Sequence, residues 1–263
     1  MKGINSWHYS FVLLITILGA CSNLSLDDLK IITQKTGILE TNCYLVYNDK
    51  NNQAAVIDPG DSIDTLISHL EENEVELKYI FFTHCHPDHM YGLLCMNLKE
   101  KYPAAKVCFS KEGYDDMFNV VAKWDQVYPE YVVEGIKGNS GWLRLFNMDY
   151  EKIGEPDIYI KDDQIFKLGN FNIRIIKTPG HARGSVCFYI QNFVFTGDEL
   201  MHGKVGGTKI SPISSFETQV QSIRKLYSTL PDETIVYPGH GNSTSIGFEK
   251  AENQNITMDN AIQ

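Results

Sequence analysis

Residues 83–92 read Thr-His-Cys-His-Pro-Asp-His-Met-Tyr-Gly, which packs three histidines and one aspartate into six positions. No other stretch constrains the fold so tightly, because the rest of the chain must hold these four donors in place. The apolar run Tyr79-Ile-Phe-Phe82 comes directly before it and reads as a buried strand. Alternate side chains of an extended segment share a side, so His84, His86 and Asp88 are expected to point one way and Cys85 the other. Pro87 disfavours helical geometry at His86 and keeps that presentation open. Imidazole nitrogens beside a carboxylate oxygen form a mixed donor set suited to zinc, iron or manganese. The plainer alternative is a polar loop with ordinary surface histidines. With only eight histidines in 263 residues, so tight a cluster favours the metal reading.

Length favours one domain, or at most two, with a sizeable core. Hydrophobic content of 43% and charged content of 21% place the chain among ordinary globular proteins. A net charge of −10, with no basic cluster, argues against nucleic acid as a partner.

The N-terminus has a different character. Lys2 precedes an apolar stretch from Phe11 to Leu18 that is too short to span a bilayer and reads as a signal region. Leu18-Gly-Ala-Cys21 then resembles a bacterial lipoprotein cleavage box. That resemblance implies a cleaved leader (1–20), lipidation at Cys21, a tether (21–28) and a lipid-anchored protein of the cell envelope. An uncleaved anchor or simple secretion are the competing readings, and the cysteine at the cleavage point favours lipidation. Of the remaining cysteines, Cys43, Cys108 and Cys187 lie in apolar strand-like runs and are expected to be buried; no CxxC pair suggests a structural zinc.

Strands are expected at Leu29–Thr33, Cys43–Tyr47 and Ala54–Ile57, the last two as a hairpin. Ile63, Leu66, Ile67 and Leu70 recur at helical spacing behind Asp58-Pro-Gly60, with Asp61 or Ser62 as cap and His69 on the solvated face. Further strands are expected at Lys106–Ser110, Asp157–Ile160, Gln164–Leu168, Phe171–Lys177, Val186–Ile190, Phe193–Phe195 and Thr234–Tyr237. Ser214 and Glu217 suggest a capping box for a helix ending at Pro231. Residues 113–156 carry eight aromatic side chains without clean periodicity. They suit a lid or substrate wall, or a small satellite core, with the core slightly favoured.

Three later stretches repeat the opening logic. Thr178-Pro-Gly-His181, Thr196-Gly-Asp198 and Tyr237-Pro-Gly-His240 each put one donor just past a strand, with glycine allowing close backbone approach. Five of the seven histidines beyond the leader thus stand at strand ends.

Together with Thr41-Asn-Cys-Tyr-Leu-Val46, these motifs resemble the metallo-β-lactamase superfamily, most closely its glyoxalase II-like thioester hydrolases. The resemblance implies an α/β fold, an αββα sandwich of two sheets between helices, over residues 29–263 with 113–156 as an insert. It implies that His84, His86 and His181 hold one divalent metal and Asp88, His89 and His240 a second, with Asp198 bridging. Zinc is the expected metal, with iron or manganese as alternatives. The implied reaction is attack of a metal-shared hydroxide on a small-molecule thioester or ester, with Asp88 as catalytic residue orienting and deprotonating the nucleophile. Thr83, Thr178, Ser185 and Thr196 are candidates for supporting the ligands. Glutathione thioesterases of this family usually carry a further helical domain that contacts the substrate, and with 23 residues after His240 no such domain is expected here. Lys204 and Lys209 are possible anion contacts in the 203–209 loop, though a solvated loop is the plainer reading. The alternatives carried forward are a mononuclear iron persulfide dioxygenase, a β-lactamase or lactonase, and a non-catalytic metal-binding lipoprotein.

Overall fold

The computed structural model describes residues 28–263. The leader and Cys21, with all but the last residue of the tether, lie outside the described residues. Among the described residues, twelve strands form two mixed six-stranded sheets. The first contains, in spatial and chain order, β1 (Leu29–Thr36), β2 (Thr41–Asn48), β3 (Gln53–Ile57), β4 (Glu76–Phe81), β5 (Lys106–Ser110) and β6 (Ile158–Ile160). Strands β1 to β3 pair antiparallel, and β3 to β6 pair parallel. The second sheet contains β7 (Ile165–Leu168), β8 (Phe171–Lys177), β9 (Val186–Ile190), β10 (Phe193–Gly197), β11 (Ile235–Pro238) and β12 (Thr244–Ser245). Only its β10–β11 pair is parallel.

Strand alternation generates the layers. Tyr44 and Val46 of β2 face inward and meet Phe166, Ile173 and Phe188 of the second sheet in a shared core. Cys43 and Leu45 face outward, onto Leu66, Ile67 and Leu70 of α1 (Asp64–Glu72). The second sheet mirrors this arrangement, with Cys187, Val194 and Val236 against Ile223, Leu226 and Tyr227 of the helix Phe216–Thr229. The result is the expected αββα sandwich.

Local details differ from the sequence expectations where a tertiary partner competes. Helix α1 starts at Asp64 with no side-chain cap, because Asp61 is buried and paired with Arg144. His69 is half-buried, with its ring 4.7 Å from that of Tyr47, so it is not on the solvated face. Ser215, not Ser214, caps the helix Phe216–Thr229; the Ser214 hydroxyl donates instead to the His181 carbonyl.

The β4–β5 crossover contains α2 (Pro87–Met90), α3 (Gly92–Cys95) and α4 (Leu98–Lys101). The aromatic insert between β5 and β6 is helical: α5 (Lys111–Asn119), α6 (Trp124–Val127), α7 (Glu130–Lys137) and α8 (Ser140–Phe146). The helix Phe216–Thr229 is α9, and α10 (Ile246–Glu252) completes the set. No described helix is long and apolar enough to cross a membrane.

Candidate metal centre

Asp58, the 83–89 turn, His181, Asp198 and His240 follow β3, β4, β8, β10 and β11, and all gather at one end of the sandwich. Parallel pairing explains part of this convergence, since β3 with β4 and β10 with β11 deliver their C-terminal ends to the same side. A backbone bond from Val186 N–H to the Thr83 carbonyl ties the two sheets together there.

The 83–89 turn is not extended throughout. His86 keeps extended geometry (φ −71°, ψ 142°), and Pro87 opens α2 as its first residue. Asp88 and His89 therefore lie in a helical turn, which lets two adjacent residues reach the same centre. Strict alternation would have sent them apart. Cys85 turns away into the core, as expected.

All seven expected ligand residues are brought together. The donor atoms of His84, His86 and His181 lie within 4.8 Å of one another, as do those of Asp88, His89 and His240, and those of His84, His89 and Asp198. His86 Nδ1 is 3.0 Å from both His84 Nε2 and His181 Nε2. Asp198 stands between the two trios, with Oδ2 3.8 Å from His181 Nε2 and 3.5 Å from His240 Nε2.

The outward nitrogens are held by the fold. His89 Nδ1 meets Asp58 Oδ2 at 2.9 Å, His181 Nδ1 meets the Gly207 carbonyl at 3.0 Å, and His240 Nδ1 meets the Leu39 carbonyl at 3.0 Å. His84 Nδ1 is 3.0 Å from the Thr83 hydroxyl, which donates to Asp58. Fixing one imidazole nitrogen this way aims the other at the centre. His89 Nε2 and Asp198 Oδ1, both buried and 3.5 Å apart, have no hydrogen-bond partner. Orphaned polar atoms facing each other across a cluster of nitrogen and oxygen donors fit a bound cation.

The electrostatics separate the two trios. Burial, and then the neighbouring imidazoles, push His84 well below its usual range; burial with His181 takes His86 down to about 3. Burial also lowers His181. These three are neutral donors near pH ~7. Burial opposes the charged form at His89 as well, but Asp88, Asp198 and Asp58 outweigh it and raise the imidazole to about 10. His240 is raised against burial by Asp88 and Asp198. Asp88 is held below the usual carboxylate range despite burial, chiefly by His89 and His240. Positive charge is thus favoured between the two carboxylates.

Several supports escaped the sequence reading. Asp58 looked like turn chemistry, but it is buried at φ +52° and also accepts the Thr83 N–H at 2.7 Å. Its signal was available: an acidic residue directly after a strand, as at Asp198. Thr41 donates to Asp88 Oδ2 at 2.9 Å, and the buried Glu199 accepts the His181 N–H at 3.0 Å. Of the four support candidates only Thr83 touches a ligand ring. Ser185 accepts the Ala182 N–H, Thr178 meets Cys187 Sγ, and Thr196 donates to the Leu200 carbonyl, closing the loops that carry ligands. Two glycines are required by crowding. A Cβ at Gly239 would overlap Asp198 Oδ1 and stand 2.7 Å from His89 Cε1; one at Gly206 would stand 2.6 Å from His181 Nδ1.

A cavity of about 540 Å³ opens above the cluster. His86, Asp88, His181, Asp198 and His240 form its floor, and the insert lends it Tyr128, Val132, Ile136, Trp142 and Phe146. Trp124, Val133, Ile136 and Phe146 also form a separate small core. The aromatic segment is therefore both satellite core and cavity wall. Lys209 lines the cavity, whereas Lys204 does not.

Comparison with known proteins agrees with this geometry. Residues 36–240 match the Metallo-beta-lactamase superfamily. The hydroxyacylglutathione hydrolase GloC of Haemophilus influenzae is 33% identical over 218 residues, covering 81% of this chain and 92% of that protein. Among solved structures, the BLEG-1 B3 metallo-beta-lactamase superposes with a TM-score of 0.67 at 26% identity, covering 86% of this chain and 98% of the other. TTHA1623 in a di-iron-bound form superposes with a TM-score of 0.64 at 25% identity, covering 85% and 98%. On the matched motifs, the sandwich and the ligand cluster, the chain belongs to the metallo-beta-lactamase superfamily.

Proposed function

We propose that this protein is a metal-dependent hydrolase that cleaves thioesters or esters of small molecules, in the manner of glyoxalase II. The observation that carries the reading is the pair of donor trios sharing Asp198 between them, with His89 Nε2 and Asp198 Oδ1 orphaned inside the cluster. In this reading His84, His86 and His181 would hold one divalent metal and Asp88, His89 and His240 the other, with Asp198 serving both. Zinc suits the nitrogen-rich set; iron suits it too, as the di-iron form of TTHA1623 illustrates. When bound, such a pair of cations supplies Lewis acidity toward a carbonyl and lowers the pKa of water.

The chain's own residues do the rest. Asp88 lines the cavity floor, is ionised throughout the neutral range, and is fixed by the Thr41 hydroxyl. It orients the attacking water and accepts its proton. The water oxygen bonds to the acyl carbon, the C–S or C–O bond breaks, and the proton leaves with the departing thiol or alcohol. Thr83, Asp58, Gly207 and Leu39 keep the histidine rings from rotating out of position. The insert lines one side of the floor with apolar carbon.

Metal analysis of the purified protein, combined with a thioester, lactone, β-lactam and persulfide panel, tests the reading. About two metals per chain and thioester or ester turnover are expected. One iron per chain with oxygen-dependent persulfide consumption would sink it. We further propose that Cys21 is lipidated and tethers the enzyme to the cell envelope. Cys21→Ala should then release the protein from membranes, and unchanged retention would refute the anchor.

A further inference from the structure

The donor cluster occupies only the floor of its cavity; the walls carry separate information. Apart from histidines, the charged side chains lining the cavity are those of Asp88, Asp198 and Lys209. Two of these belong to the cluster, and the Lys209 ammonium already donates to the Gln263 main-chain oxygen at 3.4 Å. The remaining lining is dominated by carbon. Trp142 and Phe146 of α8 are stacked at 20° with centroids 6.1 Å apart, Tyr128 and Val132 extend that wall, and Val205 and Ile210 stand among the other lining residues.

The wall is fixed before any substrate arrives. Asp116 of α5 is paired with Arg183, two residues beyond His181, and Arg144 of α8 is paired with the buried Asp61. The Tyr128 hydroxyl lies 3.4 Å from Ser211 Oγ, which joins the insert to the 203–211 side of the cavity. A preformed apolar wall beside a reactive floor selects for substrates that bury carbon, because no ordering is needed when they bind.

We infer that the cavity seats an uncharged apolar group of the substrate ester, an alkyl or aromatic acyl chain, and that the leaving thiol or alcohol is not a charged peptide such as glutathione. The inference rests on the hydrolase reading and narrows it. A glutathione moiety brings two carboxylates and an ammonium. Here they would meet one already engaged lysine, a few neutral polar groups such as Thr208 and Asn255, and a wall of aromatic and aliphatic carbon, and charges desolvated without charged partners are strongly disfavoured. An acyl chain meets the same surface favourably, methylene by methylene.

The test uses the full-length chain in detergent, loaded with two equivalents of zinc. The probes are N-acetylcysteamine thioesters with acetyl, butanoyl, hexanoyl and phenylacetyl groups, together with the glutathione thioesters of the same acids. From acetyl to hexanoyl, kcat/KM is expected to rise about two- to fourfold per methylene, fourfold being the factor equivalent to ~0.8 kcal/mol. At a fixed acyl group the neutral thiol should be preferred at least ~10-fold over glutathione, the factor for ~1.4 kcal/mol. Trp142→Ala should flatten the chain-length series, as should Ile210→Ser, whose side chain is exposed and outside the insert core. A flat series, a preference for glutathione thioesters, or an unchanged series in both folded variants overturns the inference. Calorimetry with S-methyl and S-hexyl thioethers of N-acetylcysteamine reads the pocket without turnover. Tighter binding of the hexyl compound with no hydrolysis of any ester would keep the pocket and overturn the hydrolase reading. Hydrolysis with no chain-length dependence in rate or binding would do the reverse.

Discussion

His89 Nδ1 lies 2.9 Å from Asp58 Oδ2, and both side chains are almost wholly excluded from solvent. Through this contact β3 orients a donor that belongs to the β4 turn. Asp58→Asn retains the shape and tolerates φ +52°, but it removes the charge that holds the imidazole N–H. Metal affinity is expected to fall about 10- to 100-fold, the usual loss for such outer partners. Competition with a chromophoric chelator measures it. Unchanged affinity would mean that Asp58 serves the backbone at Thr83 alone.

The divided titration of the histidines predicts how metal-stripped protein responds to pH. His89 is raised from 6.5 to about 10 and His240 is also raised, so their stabilisation is complete below pH ~6.5 and disappears as pH climbs through their folded values. His84, His86 and His181 are lowered, so the unfolded chain takes up protons below pH ~6.5 that the folded chain resists. Stability should therefore peak at about pH 6 to 7 and decline on both sides. Thermal unfolding in a strong chelator reads this directly, and His89→Gln should soften the alkaline decline. A Tm that is level from about pH 6 to 10 would contradict the assignment.

Gly239→Ala should cripple the centre while leaving most of the sandwich intact. The added methyl would overlap Asp198 Oδ1 and press on the His89 ring, displacing two donors at once. Metal content is expected to fall well below that of the parent, with little change in circular dichroism. Full metal loading in this variant would show that β11 can retreat from the cluster.

Phe188→Ala probes the sandwich itself. Phe188 is fully buried between the sheets and 4.7 Å, centroid to centroid, from Phe81. The cavity left behind should lower stability by ~3–5 kcal/mol. For a domain of this size that is roughly 10 °C in Tm. Calorimetry of metal-free protein is the clean measurement, since bound metal would mask part of the loss.

Much of this was legible before the fold was seen. The strand-end motifs picked out all seven clustered donors, because a donor just past a buried strand is recognisable from a few neighbouring residues. The apolar run Cys43–Tyr47 was readable as a strand for the same reason. Asp58 carried the same strand-end signal, but its partner could not be read, since its role depends on His89, 31 positions away. For 113–156 a cavity wall and a satellite core were both readable as alternatives, and only the fold showed that the segment is both. Its aromatic positions follow several short helices with breaks between them, so no single period runs through the segment.

The sequence by itself determined which donor residues stand just past strands, a property set by local pattern and residue type, and the resemblance of those motifs to a known family implied the class of sandwich. Only the tertiary structure decided how those donors are aimed and charged. His181 meets His86 across 95 residues, and His240 is held by the Leu39 carbonyl across 201. Burial and neighbouring carboxylates then make one trio neutral and favour positive charge in the other. The first stretch, His84 to His89, names the chemistry; the packing of both sheets and the insert shapes the space in which it acts.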